Sequence, residues 1–262
     1  MPYATNDGVR IHWRARGDGE PLLLIMGLGY SLDMWHHVEA GLAEHFRIIL
    51  FDNRGIGKSD STPGPHLIST MAEDAAAVLA AAGVESAFVF GISMGGFIAQ
   101  EFALRHPERV RALVLGCTAC GGPHVVRAGP EVLDTLVERV KLPMAESVRV
   151  MFPYIYDQHT PASRIEADLA VRLANYPDAE TYLGQLAGIA QWQSCDRLQQ
   201  LSMPTLILHG TSDRLVPPEN GQLLADHIRG SVLRLIPDAS HIFFTDQPDL
   251  TVDLVSQFLP VR

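Results

Sequence analysis

Ser93 stands in Gly91-Ile92-Ser93-Met94-Gly95, a serine with a glycine two residues to either side. A serine hydroxyl becomes a useful nucleophile only when a base takes its proton, and the base works best when a carboxylate orients it. The glycines have a steric reason. A sharp strand-to-helix turn holds the serine in a strained backbone conformation, and side chains two residues away would collide there. The next residue, Gly96, relieves the crowding further. Acid and base are both available: Asp213 in His209-Gly210-Thr211-Ser212-Asp213, and His241 in Asp238-Ala239-Ser240-His241. Read alone, Asp213 could cap a helix beginning near Pro217, and His241 could be a surface histidine. Read with Ser93, they complete a nucleophile, acid and base in an order suited to acyl transfer. Asp238 and Asp246 are the competing acids, but they sit beside His241 in sequence and not beyond a separate strand end.

Acyl transfer also needs two backbone N–H groups for the developing oxyanion. Met94, directly after the serine, is the candidate for one. Leu28, in the glycine-rich run Gly27-Leu28-Gly29-Tyr30, is the candidate for the other. The helix predicted to start at Met94 points its positive end toward the same place.

The elements that must carry these residues follow from apolar runs and turn signals. Tyr3 to Thr5 and Val9 to Arg16 flank Asn6-Asp7-Gly8 and read as a hairpin. Strands are expected over Pro21 to Met26, Arg47 to Phe51, Ala87 to Gly91, Val110 to Gly116, Thr205 to Gly210 and Val232 to Ile236. Helices are expected over Trp35 to His45, Ile68 to Ala82 with Gly83 closing it, Met94 to His106 before Pro107, Pro217 to Arg229 and Leu250 to Leu259. This alternation predicts an α/β fold, a mostly parallel sheet with helices on both faces. In such a sheet Ser93, Asp213 and His241 follow strand ends on one edge, where ligands bind.

The alternation breaks in the proline-rich stretch 121–193, where helical pieces over Glu131 to Lys141, Ser163 to Ala174 and Ala179 to Trp192 are expected. The division is therefore a core of residues 1–120 and 194–262 with an inserted helical lid over 121–193. Met144, Met151, Phe152, Tyr154, Tyr156, Tyr182 and Trp192 lie in that lid. The side chains expected to shape a substrate pocket are Tyr30, Trp35, Phe97, Trp192 and Phe244.

Other patterns are set aside. Gly57-Lys58-Ser59 ends like a phosphate-binding loop, but Asp52 holds the position where that loop needs glycine and would set a carboxylate against phosphate. His36 and His37 are read as diverging on a helix, with no spacing suited to one metal. The chain of 262 residues has three cysteines, a low, odd number that argues against a disulfide framework. Cys117-Thr118-Ala119-Cys120 reads as a loop beyond a strand end.

Hydrophobic residues make up 47% and charged residues 19% of the chain, a globular composition. A net charge of −10 without a basic stripe speaks against nucleic acid and against an anionic membrane surface. The N-terminal residues lack a charged and an apolar leader segment, and the apolar runs are too short to span a bilayer, so a cytoplasmic location is expected. Spacing leaves the oligomeric state open.

With these residues identified, the chain resembles the α/β-hydrolase fold superfamily over nearly its whole length. Asp52-Asn53-Arg54-Gly55-Ile56-Gly57-Lys58-Ser59 looks like that family's D-x-R-G-x-G-x-S segment, Gly91 to Gly95 like its nucleophile elbow, and His209 to Asp213 like its acid turn. Within the family it is similar to small carboxylesterases, 3-oxoadipate enol-lactonases and cofactor-free haloperoxidase-like hydrolases. One departure is Met26-Gly27 where the family usually has His-Gly. The resemblance implies a serine hydrolase of a small carboxylic ester or lactone, with no metal or organic cofactor and with the insertion as its cap. Carbon–carbon bond hydrolysis, perhydrolysis and a receptor role on the same fold are the alternatives.

Overall fold

The computed structural model describes residues 2–260; Met1, the first residue of the stretch read above for a leader, lies outside the described residues, as do 261 and 262. The chain opens with the hairpin β1 (Tyr3–Asn6) and β2 (Val9–Arg16). Asp7 and Gly8 turn it with φ of 48° and 79°, the left-handed pair that an Asp-Gly hairpin favours. Then follow β3 (Glu20–Ile25), α1 (His36–His45), β4 (Phe46–Phe51), α2 (Ile68–Ala81), β5 (Ala87–Ile92), α3 (Met94–Arg105) and β6 (Val110–Gly116). The insertion carries α4 (Pro130–Glu138), α5 (Met144–Arg149), α6 (Phe152–Ile155), α7 (Ala162–Ala174) and α8 (Ala179–Ala190). The chain closes with β7 (Thr205–Gly210), α9 (Glu219–His227), β8 (Val232–Ile236), α10 (Phe243–Asp246) and α11 (Pro248–Phe258).

The strands form one eight-stranded sheet in the order β1-β2-β4-β3-β5-β6-β7-β8. β2 pairs antiparallel with β1 and β4, and every pairing from β4 through β8 is parallel. The central strands are apolar at successive positions because both faces are covered. Residues Leu23, Ile25, Ile49 and Val89 point into a core under α2 and α3, while Leu22, Leu24, Ile48 and Phe90 point into the opposite core under α1 and α11. Since β5, β7 and β8 run the same way, the residues after them gather on one edge.

The expected strands and long helices agree with these bounds to within two or three residues. Three short helices had no sequence reading: α5, α6 and α10. Each is too short to display a 3.6-residue period against its flanks. A 3₁₀ turn, Leu32–Trp35, replaces the predicted first residue of α1, with Ser31 capping it through the Asp33 N–H.

The cysteine reading needs correction. Cys120 is disulfide-bonded to Cys195 across 75 residues of sequence, and Cys117 is buried and free. The low count pointed away from such a bond because pairing depends on which chain segments the fold brings together. Here the partners flank the insertion. Beside them Gly121 bridges Gln193, and the Ser194 N–H donates to Cys120 O at 2.7 Å. The insertion thus leaves and rejoins the sheet through one neck. Among the described residues no helix is long and apolar enough to cross a membrane.

The His36 and His37 reading also changes. Their rings lie 3.9 Å apart, centroid to centroid, and do not diverge. Both turn to the fully buried carboxylate of Asp168 on α7, with Nε2 atoms 2.8 and 3.1 Å from Oδ1. The Tyr156 and Thr245 hydroxyls donate to Oδ2 at 3.0 and 2.8 Å. The donor atoms of the two histidines and Asp168 lie within 4.8 Å of one another, and the hydrogen bonds already account for both oxygens.

Asp168 therefore ties the insertion to α1 and α10 of the core, and this has a pH consequence. Burial alone would raise its pKa, but the hydrogen bonds from His36 and Thr245 and the adjacent His37 imidazole outweigh burial and hold it at about 2. A depressed carboxyl pKa stabilises the fold above the unfolded-state value and loses that contribution as pH falls through the folded one. The difference amounts to about 2 kcal/mol, present at neutral pH and lost between about pH 4 and about pH 2. Urea unfolding should show Asp168→Asn less stable than wild type at pH 6, with the gap narrowing below pH 4; a gap that does not change with pH would contradict the assignment.

Candidate active site

Ser93 directly follows β5 with φ 55° and ψ −119°, a strained conformation for a non-glycine residue. The strain is held by hydrogen bonds on both sides. The Ser93 N–H donates to Gly116 O at 2.9 Å, and Ser93 O accepts from the Gly96 N–H at 2.8 Å and from Thr118 Oγ1 at 2.7 Å. The glycines are required by contact. A Cβ on Gly91 would strike the Gly95 carbonyl, and one on Gly95 would strike the carbonyls of Ile25 and Met26. Gly27 passes beside the serine: a Cβ there would stand 3.2 Å from Ser93 Cβ and 3.7 Å from Oγ.

Asp213 lies three residues past β7, and His241 lies in the turn between β8 and α10. His241 Nδ1 is 2.8 Å from Asp213 Oδ2. The other carboxylate oxygen, Oδ1, accepts the Leu215 and Val216 N–H groups at 2.9 and 2.8 Å, so the acid cannot rotate freely. Burial would push this carboxyl up, but the charge of His241 and the hydrogen bonds from His209 and His241 hold it below the usual range. Asp213 stays ionised beside the imidazole. With Nδ1 engaged, Nε2 of His241 is the nitrogen able to accept a proton.

The competing acids are occupied elsewhere. Asp246 accepts the Ser240 N–H at 2.7 Å and the Thr160 hydroxyl at 2.5 Å, and burial pushes its pKa up to about 6. Asp238 is exposed, 3.7 Å from His159.

Ser93 and His241 open onto one cavity of about 460 Å³, a volume suited to a small molecule. Leu28 and Met94 line it too, and Met94 is the first residue of α3, so its N–H lies outside the helix ladder. The neighbouring Gly29 N–H is taken by Gln185 Oε1 at 2.9 Å, which pins the loop from the insertion side. Tyr30, Phe97 and Phe244 line the cavity as expected from sequence. Trp35 and Trp192 do not, and that expectation is corrected. Trp35 is fully buried in the core, 5.1 Å from the Phe90 ring and 5.3 Å from Phe244. Trp192 stacks behind Phe97 at 4.8 Å and donates its indole N–H to Glu101 at 2.9 Å. Each supports a lining residue from behind. From the insertion, Met151 and Tyr182 reach the wall, whereas Met144 is exposed.

The sequence model of the alpha/beta hydrolase fold matches residues 20–248. The chain belongs to the α/β-hydrolase fold family. Within that family it is 32% identical over 263 residues to the "Putative carbamate hydrolase RutD" of Azorhizobium caulinodans, covering 98% of both chains. It superposes on the enol-lactonase from Burkholderia xenovorans LB400 with a TM-score of 0.86 at 28% identity, covering 98% of this chain and 99% of the other. A thermophilic esterase from Thermogutta terrifontis gives a TM-score of 0.85 at 28% identity, covering 98% and 96%. The structure gives a role to Asp52, read in the sequence both as a reason to reject a phosphate loop and as the start of the family's D-x-R-G-x-G-x-S segment. Asp52 is buried and accepts from the Leu32 and Lys58 N–H groups at 2.9 and 3.0 Å while contacting His12 Nδ1 at 2.9 Å. Next to it, Asn53 donates to Met26 O at 2.9 Å. The family's loop after β4 thus braces the loop after β3, and it does so with Met26 where a histidine is usual. His209 was also missed. It is fully buried with Nε2 2.7 Å from Val216 O and 3.3 Å from Asp213 Oδ2, and nothing in its spacing distinguishes it from other histidines.

Proposed function

We propose that this protein is a serine hydrolase that cleaves a small carboxylic ester or lactone through an acyl-enzyme. The observation that carries the proposal is the 2.8 Å contact between His241 and Asp213, with His241 and Ser93 lining the same cavity. Ser93 attacks the carbonyl carbon as His241 Nε2 takes the hydroxyl proton. Asp213 holds the productive tautomer and balances the imidazolium charge. The N–H groups of Leu28 and Met94 receive the oxyanion. His241 then protonates the leaving alkoxide, and a water activated by the same nitrogen hydrolyses the acyl-enzyme. In a lactone the leaving oxygen, protonated by His241, stays tethered to the acyl chain as a hydroxyl, and hydrolysis of the acyl-enzyme releases a single hydroxy acid.

The insertion over 121–193 acts as the cap that shapes the acyl and alcohol sites. The apolar wall, with Phe97, Met151, Ile155, Ile189 and Phe244, favours small apolar substituents around the carbonyl. The reaction uses only the chain's own groups, and the substrate is a small molecule. The relatives named for ester, lactone and carbamate hydrolysis support acyl transfer at this site.

The test is a panel of p-nitrophenyl esters and lactones combined with a fluorophosphonate label. Turnover with stoichiometric label on the peptide that contains Ser93 is expected. Label on another residue, with turnover intact, would refute the proposal. A pH profile gives a second check. His241 must be neutral to act as base, so kcat/KM should fall on the acid side. A profile flat down to about pH 4 would remove His241 from that role.

A further inference from the structure

The charges around the cavity are one-sided. The chain has 30 acidic and 20 Lys and Arg residues, yet among the described residues the Lys, Arg, Asp and Glu side chains lining the main cavity are Arg127 and Arg139, with no carboxylate. A second, water-sized cavity of about 10 Å³ adjoins it and shares Leu28, Tyr30, Arg139 and Tyr182 with it. This smaller cavity is lined by Arg172 of α7 as well as Arg139, again with no carboxylate among the described residues.

Arg172 is only 4% exposed, and Nε, Nη1 and Nη2 all lack a hydrogen-bond partner. Its guanidinium lies 4.8 Å from the Tyr30 ring centroid and 5.8 Å from that of Phe152. Such faces offset only part of the cost of burying a charge. The acid one turn earlier on the same helix, Asp168, is committed to His36, Tyr156 and Thr245. Arg139 is 7% exposed, sits 5.3 Å from the Tyr182 ring centroid, and donates one hydrogen bond, to Ser147 at 3.3 Å. Two buried guanidinium groups thus line one small cavity, and all three side-chain nitrogens of Arg172 lack a partner. A planar fork with unused donors matches a carboxylate.

We infer that the substrate carries a carboxylate remote from the scissile bond, and that Arg139 and Arg172 receive it. The inference rests on the hydrolase reading above and names its substrate class. Arg139 meets the carboxylate from the main cavity. Tyr30, which lines both cavities, turns to admit it to Arg172. The anion then satisfies the Arg172 donors, which are otherwise buried without a partner.

The test compares mono-p-nitrophenyl esters of succinate, glutarate and adipate with the matching terminal amides. For at least one length, wild type should favour the carboxylate by about 30-fold or more in kcat/KM, the scale of a buried charge pair. In Arg172→Met and Arg139→Met that ratio should fall toward one, whatever the absolute rates. Arg172→Lys keeps the charge if the methionine variant does not fold, and should give an intermediate ratio. Glutarate or adipate should raise the melting temperature of wild type and not of the arginine variants. Ratios near one at every length, together with Ser93-dependent turnover of the amides, would overturn the carboxylate site and leave the hydrolase reading standing. A carboxylate preference unchanged in all the arginine variants would overturn the assignment to these residues. If neither ester series is turned over and Ser93 takes no phosphonate label, the hydrolase reading itself fails.

Discussion

Ser93→Ala should lower kcat on any ester that the protein hydrolyses by about 10⁴- to 10⁶-fold, with the melting temperature nearly unchanged. The size of the loss follows from what the hydroxyl does. Without it no acyl-enzyme forms, and only oriented water acting at the oxyanion site is left. The fold should survive because the turn is held by the backbone. The bonds from the Ser93 N–H to Gly116 and from Gly96 and Thr118 to Ser93 O do not involve the side chain that is removed. Nor does the Ser93 side chain cap α3. Alanine bears the same Cβ at φ 55° as serine, so the backbone strain is little altered. Steady-state kinetics with a melting curve decide the matter. Turnover near the wild-type rate would place the nucleophile elsewhere.

Asp213→Asn should cost about 10⁴-fold in kcat, again without loss of fold. The argument turns on hydrogen-bond direction. The amide oxygen would keep accepting from Leu215 and Val216, which now bond Oδ1 at 2.9 and 2.8 Å. That leaves the NH₂ group facing His241 Nδ1, where Oδ2 now sits at 2.8 Å. A donor there selects the tautomer with the proton on Nε2, so His241 would donate toward Ser93 and not accept. The loss should appear in kcat more than in KM. Activity within tenfold of wild type would mean that another group orients the base.

How far the site was legible in the sequence depends on how local each signal was. Gly91, Ser93 and Gly95 report a turn whose sterics lie within a few residues, so their pattern carried through to the strained backbone at Ser93. Asp213 and His241 needed only strand ends and a shared direction, which buried apolar runs reveal. The pocket wall was harder. Phe97 and Trp192 stack on one another, and only the packing decides which ring faces the cavity and which backs it. Trp35 sits in a 3₁₀ turn that points it between Phe90 and Phe244, a placement that depends on strands and helices far away in sequence. The Asp168 cluster and the Cys120–Cys195 bond were hidden for the same reason. Each joins segments 75 or more residues apart, and neither leaves a trace in local spacing.

The neck beneath the insertion has a consequence for how such a protein can diversify. Because Cys120 meets Cys195 and Gly121 meets Gln193, the excursion departs and returns at almost the same point. The registers of β6 and β7 therefore do not depend on what lies between them. Closing a longer excursion at a fixed neck costs little, about 0.6 kcal/mol for each doubling of its length. The segment between Gly121 and Gln193 can then change in length or composition while its two ends stay together. Variation can accumulate beyond one attachment point without renegotiating the sheet.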